Sequence, residues 1–508
     1  MKKFITLLII LLHQVAVAQV AFQKVFSGNN KQIWSGSICN VPGNRFALTG
    51  TLYDNSVMRE KGFVQLINQM GDTLWFRSVQ DTADVTFENI TFTSDSNLVV
   101  VGKNSNGILF IKYNLNGDVL LSKFIGSPDS HLYDCKIINT SDTGYLVIAT
   151  VNIWGPNNTA LIKLNSIGNV EWAKQFVIPV GDITTADSGF MMACNTSSSI
   201  LLLRIDLSGS IVWSQKYEFG DPCRSYEIKR TIDNGFIIGG YVDRYPSQDL
   251  LEGLLLKVDS AGVFQWSVGN SYYGNDIIPS TIYQRTNGNY VFAGDGLCAF
   301  GFNFCLAEVD PSGVLIWNKA YKTDYSSVSR IFEFVPTFDN GFLINTCGMP
   351  YGLGLPDLSC YIIKTDSLGN SGCNDTSGTI TQNVLTPIPD TFLVSDSVIS
   401  LASQNKSFMS DSALMITDVC FSVGIPGMHK DPLNEILLHP NPTQGKFTIS
   451  NIQSPINQIE IFNLLGKKVF TVTGNGLTTV DCGLLTPGIY ILQASDGKKS
   501  WRGKVVKE

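Results

Sequence analysis

The 508-residue sequence predicts an all-β protein in which one hairpin recurs around a common architecture, and three observations predict it. The stretch LLLKVDSAGVFQW (Leu254 to Trp266) is nearly copied by LLLRIDLSGSIVW (Leu201 to Trp213) and LAEVDPSGVLIW (Leu306 to Trp317). A short apolar run behind two lysines opens the chain, and repeat-free sequence with alternating apolar residues closes it. Hydrophobic content of 44% against 16% charge describes folded units, and 46 glycines suit many tight turns. A formal net charge of −7 argues against nucleic acid as a partner, because phosphate binding needs a basic face.

The chain begins MKKFITLLIILLHQVAVAQ. Lys2 and Lys3 precede an apolar run from Phe4 to Leu12, and Ala16-Val17-Ala18 supplies small residues for cleavage. The run is well short of the roughly 20 residues of a spanning helix. Residues 1–18 are therefore expected to be an export signal, with the mature chain starting at Gln19.

Seven turns align from there: Asn68 to Gly71, Asn114 to Gly117, Asn165 to Gly168, Asp206 to Gly209, Asp259 to Gly262, Asp310 to Gly313 and Asp366 to Gly369. Each places Asn or Asp where its side chain can bond the turn's own backbone, and Gly where φ is positive. Four residues after the glycine stand Trp75, Trp172, Trp213, Trp266 and Trp317, with Leu121 and Cys373 as the exceptions. These side chains are expected to seat one unit on the next. A second tight turn, such as Asp233-Asn234-Gly235, precedes each of these, so every unit holds four short strands. The last copy stops before its fourth strand, and Val20 to Gly28 resembles the fourth strands of other copies. Residues 19–373 are thus expected to form a seven-bladed β-propeller of four-stranded blades, its ring closed by the N-terminal strand.

The repeat resembles the broad class of bacterial secreted propellers. Its turn is one residue shorter than the quinoprotein docking motif and one longer than the sialidase Asp-box spacing, so the resemblance implies no quinone, and no cofactor is expected. In a four-stranded meander, the two tight turns share one end of the blade. The variable connections share the other, which is where recognition is expected. The residues singled out there are Trp154, Tyr245, Asp249, Tyr272, Tyr273, Asp276, Phe302, Tyr325 and Tyr351. Aromatic faces beside short polar groups suit a glycan or a protein surface. A non-catalytic binding or adhesion module is the leading expectation. A glycoside hydrolase or lyase using two loop carboxylates is the alternative, and a structural surface-layer component is the third. His131 is the one histidine of the repeat region, and neither a metal site nor a catalytic triad is expected.

Export makes the eleven cysteines candidates for disulfides. Cys298 with Cys305 and Cys347 with Cys360 each flank a loop, and Cys373 with Cys420 brackets a polar segment. Cys194 with Cys223 is a weaker pairing.

Residues 374–432 read as a polar connecting region, and 433–508 as a small β-sandwich with turns at Asn-Pro, Leu-Gly, Pro-Gly and Asp-Gly. Pro440-Asn441-Pro442 with Gly445, then Asn463 and Gly466, then Gly488 and Tyr490, and finally Lys504 and Lys507 occur in order. This pattern resembles the type A C-terminal sorting domain of the type IX secretion system of Bacteroidota, with His439 where that family has an aromatic residue. The resemblance implies that residues 433–508 meet the secretion machinery and are removed after passage across the outer membrane. It also implies that the cargo is released or attached to surface lipopolysaccharide, its only link to a membrane.

Overall fold

The computed structural model describes residues 19–507 except 28–30, 82, 105–106, 127–131, 152–157, 244–250, 273–274, 299–301, 322–329, 349–358, 374, 378–379, 407–408, 412–414, 425–436, 451–454, 464–466, 475, 477 and 497–499. The described residues form an all-β chain with a repeated, blade-like antiparallel sheet. Two compact units divide it, one spanning 21–421 and the other taking in 422–508.

In the larger unit, six sheets are each built from four consecutive strands. Sheet 1 opens with Lys31–Val41, sheet 2 with Thr86–Phe92, sheet 3 with Leu132–Asn139, sheet 4 with Val180–Ala186, sheet 5 with Cys223–Arg230 and sheet 6 with Ile278–Gln284. Sheet 7 takes three strands from Arg330–Pro336, Phe342–Gly348 and Ser359–Thr365, and its fourth is Gln19–Ser27. That strand runs antiparallel to Ser359–Thr365, from Phe22 opposite Lys364 to Phe26 opposite Cys360.

Burial explains the sequence pattern strand by strand. The middle strands are covered on both faces, so Gly107–Tyr113 and Phe342–Gly348 are buried throughout and read as apolar runs rather than alternations. The first and fourth strands are only partly buried, as in Thr86–Phe92, where Phe87 and Ile90 are covered, and Val170–Phe176, where Ala173 and Phe176 are. Apolar side chains from successive sheets share cores: 1 with 2, 2 with 3, 3 with 4, 4 with 5, 5 with 6 and 6 with 7. Sheet 7 in turn meets sheet 1, where Asn345 Nδ2 donates to the Gly36 carbonyl (3.1 Å) and Ser35 Oγ to the Thr346 carbonyl (2.9 Å).

The segment expected to be a connecting region is corrected here. Its short strands add a further strand to the outer edge of every sheet, in reverse order. Asp375–Thr376 pairs with sheet 6, Ile380–Val384 with sheet 5, Ile388–Asp390 with sheet 4 and Asp396–Val398 with sheet 3. Ala402–Asn405 follows on sheet 2, Met409–Asp411 on sheet 1, and Met415–Gly424 lies beside Gln19–Ser27 on sheet 7. The expected four-stranded blades are therefore five-stranded, apart from sheet 5, which also gains Asn275–Asp276.

Two expected disulfides are corrected as well. Cys305 is a thiol and lies opposite Gly294, whereas Cys298 lies opposite Phe302. Three residues along a strand, about 10 Å, put the two beyond disulfide reach. Cys347 and Cys360 do face each other in register, but both are thiols. The Cys360 thiol is held instead by Ser35 Oγ (2.9 Å) and Asn345 Oδ1 (3.3 Å). Cys194 and Cys223 are also thiols. Cys373 is disulfide-bonded.

The seven aligned turns all close in one way. Asp259 Oδ1 accepts the amides of Ala261 (2.9 Å) and Val263 (2.8 Å), and the same two bonds recur from Asn68 in the first copy to Asp366 in the last. At the glycine, φ is +78° for Gly262 and +87° for Gly313. A Cβ there would also strike the preceding sheet's tryptophan, at 2.6 Å from Trp213 and 2.9 Å from Trp266. Trp75 Nε1 donates to the Leu115 carbonyl (2.9 Å) and Trp266 Nε1 to that of Pro311 (3.0 Å), so these two indoles rivet sheets 1 and 5 to the next turn. Gly220 has a similar φ of +83° but open space around it. Gly262→Ala is therefore expected to cost about 2 kcal/mol or more, and Gly220→Ala about 1 kcal/mol. Chemical unfolding midpoints check this, and equal costs would show that the indole contact adds nothing.

Candidate functional site

The two ends of the sheets differ in how they are built. At one end the second class of tight turn is locked by a recurring trio. Thr140 Oγ1 donates to Asp142, and Lys163 Nζ pairs with Asp142 (2.8 Å) and donates to the Leu164 carbonyl (3.1 Å). Thr231-Asp233-Lys257 and Thr337-Asp339-Lys364 repeat the arrangement. Burial raises the Asp142 carboxyl, but bonds from Lys163, Thr140 and the Gly144 amide outweigh it and bring the pKa to about 2. This end consists of backbone-locked turns whose polar groups serve the fold.

The inner edge carries a feature that the sequence reading missed. The first strand of each sheet is bulged at one level, as between Val180 and Asp182 or between Ser225 and Glu227. In sheets 2, 4, 5 and 7 the side chain just past the bulge reaches to the next sheet and accepts a main-chain amide. Asn89 takes that of Ile137 (3.2 Å), Asp182 that of Ile228 (3.1 Å), Glu227 that of Ile282 and Glu333 that of Ile38 (3.2 Å). Glu333 also accepts from Ser37 Oγ (2.5 Å), which carries the pattern from sheet 7 to sheet 1. A first-strand edge without these acceptors would leave the donors unmet. The signal was present in the repeats: Asn89-Ile90, Asp182-Ile183, Glu227-Ile228 and Glu333-Phe334 each set an acceptor before a large apolar residue.

Two lysines complete this inner cluster. Lys136 Nζ pairs with Asp182 (3.2 Å) and Lys229 Nζ with Glu227 (2.8 Å). The lysine side chains remain 43% and 40% exposed, and the two carboxylates only 8% and 7%. Burial alone would lower the Lys229 pKa, but Glu227, Asp182 and Glu333 raise it on balance. For Glu227, burial wins over the pull of Lys229, and its pKa is raised. Acids and ammoniums here are spent on each other and on neighbouring backbone. Among the described residues, no three His, Cys, Asp or Glu side chains converge as metal ligands would.

The loops that the sequence marked for recognition fall largely outside the described residues. Trp154, Tyr245, Asp249, Tyr273, Tyr325 and Tyr351 lie outside the described residues. Tyr272 and Asp276 fall on one hairpin, with Tyr272 paired to Asn275 and Ser271 to Asp276. Phe302 starts the third strand of sheet 6, opposite Cys298. A further cavity of about 630 Å³, which the sequence did not indicate, opens on the outer rim where 391–396 passes from sheet 4 to sheet 3. Trp213, Phe392, Ser210, Thr391 and the Lys174–Asp396 ion pair (3.2 Å) line it.

The smaller unit has a three-stranded sheet (Leu437–His439, Lys446–Ser450, Thr479–Asp481) and a four-stranded one (Gln458–Asn463, Lys468–Thr473, Gly488–Ser495, Ser500–Lys507). Ile459, Ile461, Leu492, Trp501 and Val505 are buried in one core with Phe447 and Val480. Asn441 ties the Pro-Asn-Pro segment to the last strand, donating to the Lys504 carbonyl (2.6 Å) and accepting the Val506 amide (2.8 Å). Thr443 pairs with Lys507 in parallel. Tyr490 Oη donates to the Thr486 carbonyl (2.7 Å), and Asn463 Oδ1 accepts the Lys467 amide (2.9 Å). Pro440, Pro442, Gly445 and Gly488 flank these bonds, and Gly466 lies outside the described residues.

Residues 437–508 match the secretion system C-terminal sorting domain. The protein is exported by the type IX secretion system, and it is secreted or attached to the cell surface. No curated protein matches the chain. Solved structures similar to it include Sqt1 from Chaetomium thermophilum, at 12% identity over 65% of this chain and 82% of that one, with a TM-score of 0.41. The AfRom2 CNH domain is similar at 8% identity over 68% and 99%, with a TM-score of 0.39. A protein of unknown function from Dyadobacter fermentans follows at 12% identity over 73% and 87%, with a TM-score of 0.29. Scores below 0.5 at such identities decide neither fold nor function.

The inner carboxylates give a direct test of their role. Glu227→Ala strands the buried Ile282 amide and leaves the part-exposed Lys229 ammonium to solvent, at an expected cost of about 2–3 kcal/mol. Glu227→Gln keeps an acceptor for the amide and is expected to cost less than half of that. Denaturant unfolding measures both. A loss below about 0.5 kcal/mol for the alanine variant, the level of an ordinary surface change, would contradict this account.

Proposed function

We propose that the larger unit is a closed seven-bladed β-propeller that binds a glycan or a protein at the cell surface without catalysis, delivered there by its sorting domain. The observation that carries this reading is the asymmetry of the two ends. One end is a set of near-identical turns whose Asn, Asp, Thr and Lys side chains are consumed by local backbone. The other carries connections that vary in length and are rich in Trp, Tyr and Asp. Variable loops on a rigid scaffold are where recognition resides. The pairing of sheet 7 with Gln19–Ser27 and the bonds from Glu333 to Ser37 and Ile38 support closure of the ring.

Hydrolysis by the acids of the first strands is disfavoured by their state. A glycosidase needs two carboxyl groups free to exchange protons with substrate. Asp182, Glu227 and Glu333 instead hold backbone amides of the adjacent sheet. Ligand contact is assigned to the loop residues Trp154, Tyr245, Asp249, Tyr272, Tyr273, Asp276, Phe302, Tyr325 and Tyr351, with attachment to lipopolysaccharide as the route to the surface.

The secreted protein applied to a panel of polysaccharides tests this, with retention and newly formed reducing or unsaturated ends read together. Retention without turnover is expected, weakened at least tenfold by a paired Trp154→Ala and Tyr351→Ala change. Turnover of any polysaccharide would replace this reading with an enzyme. Neither retention nor turnover, with no partner recovered from the cell surface, would leave a structural role.

A further inference from the structure

The outer strands between 375 and 424 visit sheets 6, 5, 4, 3, 2, 1 and 7 in turn. On the closed-ring reading proposed above, on which this inference rests, that is one full lap of the rim. The lap starts beside Cys373 and ends on Met415–Gly424, the strand that contains Cys420.

Cys373 is disulfide-bonded, and its partner is identified by exclusion. Cys39, Cys135, Cys194, Cys223, Cys305, Cys347, Cys360 and Cys482 are thiols. Of the eleven cysteines, Cys298 and Cys420 are left, and their side chains lie outside the described residues. Cys298 ends the second strand of sheet 6. The third and fourth strands of that sheet separate it from Asp375, which lies opposite Tyr321, itself opposite Phe304. Three strand spacings amount to about 14 Å, while the Cα atoms of a disulfide lie within about 7 Å. Cys373 is drawn the other way, towards sheet 7: its carbonyl accepts Gln23 Nε2 (2.8 Å) and Ser371 Oγ (2.5 Å). Gln23 belongs to the strand directly beside Met415–Gly424.

We propose that Cys373 is bonded to Cys420, and that this bond closes residues 373–420 into a covalent hoop around all seven sheets. Formation breaks two S–H bonds and makes one S–S bond. The two electrons and two protons pass to a disulfide-bearing oxidant of the periplasm, which leaves as a dithiol. The hoop explains how outer strands as short as Asp375–Thr376 and Ile388–Asp390 stay in place. Each is weak alone, but none can leave while the hoop is closed.

Tryptic digestion of the secreted protein under non-reducing conditions reads the bond. Cleavage after Lys364, Lys406 and Lys430 is expected to yield 365–406 linked to 407–430. Linkage of 365–406 to 286–319, which contains Cys298, would overturn the proposal, as would two unlinked peptides. For the restraint itself, the full chain carrying Cys420→Ser is expected to unfold at least tenfold faster in denaturant than the oxidised protein. Reductant on the unmutated protein should reproduce that change, which guards against a variant that fails to fold. An unchanged rate would overturn the hoop's role. The ring reading fails separately, because low-angle scattering distinguishes a compact disc from an open array whatever the peptide map shows.

Discussion

A β-sheet has two edges, and the need to satisfy both of them shapes this protein. Each four-stranded sheet would expose unpaired amides and carbonyls on its first and fourth strands, an invitation to aggregation in an exported protein. The inner edge is met by side chains from the neighbouring sheet, through Asn89, Asp182, Glu227 and Glu333. The outer edge is met by main chain, through the strands between 375 and 424. The tryptophan-on-glycine seats then fix the spacing of the sheets, as with Trp213 on Gly262.

That division of labour bears on function. Acids of the kind that catalysis uses are spent on holding sheets together, and the turns at one end are spent on themselves. What remains free to vary is the set of connections at the other end. Sequence changes there leave undisturbed the edges on which folding depends, while the sorting domain keeps its own core and its own ties through Asn441.

The repeat was legible because its turns depend on side-chain identity. Only Asn or Asp gives the paired amide bonds, only Gly suits φ near +80° beneath an indole, and these residues recur visibly in the sequence. The sorting domain was legible for the same reason. The outer strands were not, because their pairing uses backbone groups that every residue carries, and several of their described side chains stand in solvent: Val384 is 82% exposed and Val398 80%. A polar, unpatterned stretch therefore read as a linker. Cys298 and Cys305 are near in sequence but three residues apart in register, which sequence spacing alone does not show. The inner acids lay in plain view, but a carboxylate that caps a neighbour's amide looks in sequence like any other acid.

Hydrogen exchange of the fourth-strand amides in the intact protein tests the edge account most directly. In sheet 3, Lys174 to Phe176 lie opposite Asp396 to Val398, and comparable registers hold in sheets 4 and 5. The account predicts that fourth-strand amides bonded to the outer strands exchange as slowly as those of the buried second and third strands. Exchange at the rate of a free, solvent-facing edge would contradict it, and would return residues 375–424 to the role of a simple connection.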